Sequence, residues 1–192
     1  MNRWSLPACL LALLLSVACA EPPNKEMDQA QGAIDAARAA GADKYATSTF
    51  TAATTALQRS HDAVAQGDYR LALDTALASR EQAQNAAREG ADTKARLRGE
   101  AERTMAEVAT LFAEANTRVQ AAEKARVPRR VLAPLQEALS AINGDVQKAG
   151  EAIRAGDYLE AQPVLAAAKD RIEKVMADLD ARQASQTPRR RG

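Results

Sequence analysis

No proline stands between Pro23 and Pro128, and across that stretch the apolar residues keep a 3-4 spacing. A proline inside a helix removes an amide donor and clashes with the preceding turn, so its absence permits long helices. A 3-4 rhythm puts one narrow apolar seam on each helix, as in bundles and coiled coils. Met27, Ala30, Ile34, Ala37 and Gly41 open the pattern, and Phe50, Ala53, Leu57 and Val64 continue it more weakly. From Leu97 it runs through Ala101, Met105, Val108, Phe112, Ala115, Val119 and Ala122. Past Pro128 it is cleaner, through Leu132, Leu135, Leu139, Ile142, Val146, Ala149 and Ile153, and then Tyr158, Ala161, Leu165, Ala168, Ile172, Val175 and Leu179. Alanine supplies most of the apolar content; it is the best helix former but buries little area. β-Branched residues are scattered and nothing alternates with period two, so no sheet is expected. The expectation is an all-α bundle with a thin core.

Breaks are marked at Gly41-Ala42-Asp43, Gln66-Gly67-Asp68, Val127-Pro128 and Ala155-Gly156-Asp157. Glycine ends a helix in the left-handed conformation, and aspartate caps the next by accepting from its free amides. Asp157 to Glu160 has the spacing of a capping box. A bend is expected at Pro163, past the first turn of its helix.

The chain also repeats itself. Ala65-Gln66-Gly67-Asp68-Tyr69 matches Arg154-Ala155-Gly156-Asp157-Tyr158, with Ala72 on Ala161, Ala76 on Leu165, Ala83 on Ile172 and Ala86 on Val175. The repeat implies two tandem three-helix units, at residues 24–90 and 91–184. No clear stop separates the last helix of one from the first of the next. A single shared helix from Tyr69 to Arg126, about 85 Å if unbroken, is therefore expected, softest between Gly90 and Gly99, because each glycine weakens a helix. The first unit carries alanine, serine or glycine where the second carries larger side chains. It is expected to be looser or to lean on a partner.

The beginning of the chain predicts location. Arg3 precedes an apolar run over residues 6–17, which is too short for a membrane span and suits a cleaved leader. Ser16-Val17-Ala18-Cys19 resembles a bacterial lipobox, which implies a leader of residues 1–18, acylation of Cys19 and a tether at 19–23. Ser16 departs from the usual leucine. Ala20, rather than aspartate, behind the cysteine favours the outer membrane, facing the periplasm. The competing reading is ordinary secretion, with cleavage after Ala20 and a soluble periplasmic product. Two acyl chains would anchor stably where one would not. Residues 185–192 read as a disordered basic tail whose three arginines would touch an anionic surface weakly.

The chain has two cysteines, and Cys9 leaves with the leader, so a mature chain from Cys19 can form no internal disulfide. Loss of Arg3 leaves 25 basic against 25 acidic residues. That balance argues against nucleic-acid binding, which needs a basic surface. His61 is the one histidine and lies beside the Leu57–Val64 stripe, which suggests a half-buried helix edge. Without a second histidine or a cysteine pair no metal site is expected. Ser60 and His61 are helix neighbours that do not face each other, so they form no dyad. No cofactor motif is present and no enzyme is expected. Arg96 with Glu100 and Arg98 with Glu102 are expected as i, i+4 pairs on a solvated face.

The repeated turn residues Gly67, Asp68, Tyr69, Gly156, Asp157 and Tyr158 carry two readings. The tyrosines pack at helix corners, or they present two equivalent contact points to a partner. Around the first turn, Ala33-Ile34-Asp35-Ala36-Ala37, Gly41-Ala42, Tyr45-Ala46, Ala56-Leu57, Gly67-Asp68-Tyr69 and Ala72 resemble an alanine-rich bacterial envelope family, domain of unknown function 4398. The resemblance implies a helical protein, often a lipoprotein, and brings no known chemistry. The functional expectation is a non-catalytic lipid-anchored envelope protein that contacts another envelope protein or a second copy of itself. The alternative is a soluble periplasmic module holding a ligand between helices, in a cavity lined by Phe50, Phe112 and the tyrosines.

Overall fold

The computed structural model describes residues Glu21–Gln186, and within them the protein is all-α. Six helices are described: α1 Asn24–Ala39, α2 Ala42–Tyr45, α3 Thr47–Ala65, α4 Tyr69–Lys124, α5 Arg129–Ala155 and α6 Tyr158–Gln186. The chain divides into two compact units between Thr93 and Lys94. The division falls within α4, between Gly90 and Gly99, and the helix is unbroken there. The expected leader and Cys19 lie outside the described residues, as does the expected tail beyond Gln186, although α6 extends two residues past the expected end of the second unit.

The first unit packs α1, α3 and the early part of α4. Met27, Ala30, Ile34 and Ala37 of α1 meet Ala53 and Leu57 of α3 and Ala76, Ala83 and Ala86 of α4 in one cluster. The α4 stripe reads Ala72, Ala76, Ser79, Ala83 and Ala86, all fully buried. Small side chains let helix axes approach closely. Two hydroxyls stitch the approach: Ser60 Oγ of α3 donates to the Ala72 carbonyl at 2.7 Å, and Ser79 Oγ of α4 donates to the Ala53 carbonyl at 2.8 Å. The seam of the unit expected to be looser or to lean on a partner is therefore closed within the unit. One element was not expected: the single turn α2, which comes after Gly41 at φ +85.

Gly90 makes a tertiary contact. It is buried against the backbone of Ala42, and a Cβ there would lie 2.9 Å from the Ala42 Cα. It is a point of close approach to α2. Gly99 has open space around the same position.

The second unit packs the rest of α4 against α5 and α6. Leu97, Ala101, Val108, Ala115, Val119 and Ala122 of α4 are buried. So are Leu132, Leu135, Leu139, Ile142 and Ala149 of α5, and Tyr158, Ala161, Leu165, Ala168, Ile172, Val175 and Leu179 of α6. Val146 and Ile153 are half-buried. Contacts from Gln162 to Glu100, Lys169 to Glu107 and Arg118 to Asp180 are each 62 residues apart, so α6 runs parallel to this part of α4 in one register. Pro134 and Pro163 each occupy the sixth position of their helix, and both helices continue through them. The carbonyls four residues before them belong to the exposed residues Arg130 and Leu159, where water can replace the lost amide.

Candidate functional site

The two repeated turns are built by the same backbone device. In the first, the Gly67 amide donates to the Val64 carbonyl at 3.0 Å and the Asp68 amide to the Ala63 carbonyl at 2.9 Å. In the second, the Gly156 amide donates to the Ile153 carbonyl at 3.1 Å and the Asp157 amide to the Ala152 carbonyl at 2.8 Å. Gly67 and Gly156 adopt φ +76 and +81. This is the double bond pattern of a left-handed helix stop, which satisfies carbonyls that would otherwise be orphaned. Asp68 then caps α4, its Oδ1 accepting from the Leu71 amide at 3.0 Å. The two glycines thus stop their helices and Asp68 restarts the chain as α4.

The tyrosines beside them differ. Tyr158 is buried and Tyr69 is half-buried. They do not form a pair of equally exposed contacts. His61 is exposed, not half-buried, and Ser60 beside it is turned into the core with its hydroxyl on Ala72.

The solvated face of α4 carries the expected pairs, with Arg96 to Glu100 at 2.8 Å and Arg98 to Glu102 at 2.7 Å. Glu100 also accepts from Gln162 at 2.9 Å. The bonds from Gln162 and then Arg96 hold the Glu100 carboxyl below its usual pKa. Glu107 raises Lys169 by hydrogen bond and charge, and Glu102, with a lesser contribution from Tyr158, raises Arg98. These groups are solvent-facing and their shifts come from partners, as in structural pairs rather than poised catalytic groups.

An open cleft of about 410 Å³ lies between α4 and α5 in the second unit. Phe112 stands at its edge, with Asn116, Gln120, Gln136 and Asn143 along it, over Val119 and Leu139. Its walls carry one acid, Glu123, and no lysine or arginine. Phe50 and the tyrosines do not line it. Phe50 instead lies under Arg38 in the first unit, the guanidinium 5.4 Å from the ring centre. The amide lining was missed in the sequence, because Asn116 and Gln136 come together only through helix pairing.

Among the described residues no group of three histidine, cysteine, aspartate or glutamate side chains could hold a metal ion. Among them, too, no helix is long and apolar enough to cross a membrane. Comparison with family models, curated proteins and solved structures finds no match to this chain.

Proposed function

We propose that the protein is a non-catalytic, lipid-anchored helical protein of the bacterial envelope, held by acylated Cys19. The observation that carries this reading is the cysteine at the end of a short apolar leader, in Ser16-Val17-Ala18-Cys19. The fold is compatible with it, because Pro23 is buried and α1 starts at Asn24, so the helices of the first compact unit begin a few residues after that cysteine. The self-satisfied turns, the alanine seam and the partner-held surface charges suit a scaffold that holds shape without turning over a substrate. Outer-membrane placement facing the periplasm rests on Ala20, and a partner in the envelope, a second copy included, is part of the same proposal. Detergent-phase partitioning of cell extracts tests the anchor. The wild-type chain enters the detergent phase and Cys19→Ser stays in the aqueous phase. Wild-type protein in the aqueous phase would overturn the reading.

The cleft beside Phe112 favours a second reading, a soluble periplasmic module for a small neutral ligand, since amides and an aromatic edge can hold such a molecule. Native mass spectrometry of protein released from cells separates the two. A small molecule retained by the wild type and lost on filling the cleft with Phe112→Trp supports this alternative.

A further inference from the structure

The first unit has a defined tether end. Glu21, Pro22 and Pro23 line one surface depression with Leu73 of α4. Gln29 of α1 meets Arg80 of α4, and Ala42, just past α1, meets Gly90, so α1 and α4 run in the same direction. The crossed serine bonds make α3 antiparallel to α4. The turn at residues 66–71 therefore lies at the same end as Glu21, and the Ala42–Gly90 contact lies at the other.

This inference rests on the lipoprotein reading. Acylated Cys19 stands two residues before Glu21, and two residues of chain span at most about 7 Å. An acylated terminus enters the lipid surface, so the end carrying Glu21 has no slack to stand away from it. That end presents Leu71, which is 47% exposed and one of three large apolar side chains left so exposed among the described residues. Leu71 is the third residue of α4, and helix side chains tilt toward the N-terminus, here toward the tether end. Its backbone is fixed by the Asp68 cap. Half-buried Tyr69 and exposed Lys25 and Arg70 accompany it. Glu21, Glu26 and Asp68 more than offset the two cations, so the surface has no net attraction for anionic lipid.

We infer that the tether end of the first unit, with Leu71 as its apolar contact and the 66–71 turn around it, rests on the lipid headgroups. The contact is apolar and polar rather than electrostatic, and it orients the unit on its membrane.

A tryptophan reporter tests this. Trp4 is the sole tryptophan and lies in the leader, so an introduced one is read alone. Leu71→Trp and, at the far end of α1, Ala39→Trp are made in the full chain, and the acylated form of each is verified by mass. Both sites are solvent-exposed, so the core is untouched. The proteins are placed on phosphatidylcholine vesicles with or without bromine atoms high on the acyl chains. Emission from Leu71→Trp is expected to fall about twofold or more with brominated lipid, as for a side chain in the headgroup and acyl boundary, while Ala39→Trp stays unchanged. Acylated proteins that quench equally, or not at all, overturn the inference and leave the anchor standing. Absence of acyl mass removes both. As a check free of substitution, hydrogen exchange at residues 66–73 of acylated wild type on vesicles is expected to be slower than in Cys19→Ser, and equal rates count against the contact.

Discussion

Arg126 is the described non-glycine residue with positive φ, at +61. It ends α4 with the same bonds that Gly67 and Gly156 make, its own amide donating to the Glu123 carbonyl and the Val127 amide to the Ala122 carbonyl. An L side chain is disfavoured in that conformation, so Arg126→Gly is expected to stabilise the protein by about 0.5–1 kcal/mol after the entropy glycine adds to the unfolded chain. A higher denaturant midpoint checks this, and a lower one refutes it. Glu100 gives a pH dependence. Its folded pKa lies below the unfolded value, so its contribution is present above about pH 4.3 and is lost as pH falls through the folded pKa. Between about pH 5 and 3 the thermal midpoint of the wild type is expected to drop more than that of Glu100→Gln. Parallel curves would show that the Gln162 and Arg96 bonds do not survive in solution.

At the scale of elements, the two glycines of α4 should respond in opposite directions. Gly90→Ala drives a methyl into the Ala42 backbone and is expected to cost about 1–3 kcal/mol. Gly99→Ala meets open space and is expected to gain up to about 1 kcal/mol from helix propensity. Urea midpoints of the two variants decide it, and a gain at both would mean that the close approach at Ala42 is absent. From sequence alone these glycines look alike, since what separates them is a tertiary neighbour more than forty positions away. What the sequence did convey was local. Gly41, Gly67, Gly156 and Pro128 stand at breaks between helices, and seam residues such as Ile34, Val108, Leu139 and Ile172 are buried. What it hid was pairing: that Ser60 and Ser79 cross-bond α3 and α4, that a stripe of alanines and one serine can close a seam, and that Phe112 lines an amide-lined cleft. The repeated turn residues were legible as a motif, and their geometry accounts for them as helix stops.

At the scale of the whole molecule, the two units should differ in stability. The second buries Leu97, Leu132, Leu135, Leu139, Ile142, Leu165, Ile172 and Leu179, whereas the first has Met27, Ile34 and Leu57 as its large aliphatic core. Each buried leucine exceeds an alanine by about 2 kcal/mol or more. Native-state hydrogen exchange on the intact chain is expected to show core amides of residues 24–93 opening more readily than those of 94–186. Equal protection would mean that close packing and the two serine bonds offset the missing side chains.

The anchor at Cys19 is the claim on which localisation, partner and membrane contact all depend. Intact mass of the protein recovered from its native membrane fraction, beside Cys19→Ser, tests it most directly. The expected result is a chain that starts at Cys19 and carries acyl mass that the variant lacks. An unmodified chain starting at Glu21 would contradict the anchor and make the protein a soluble periplasmic one.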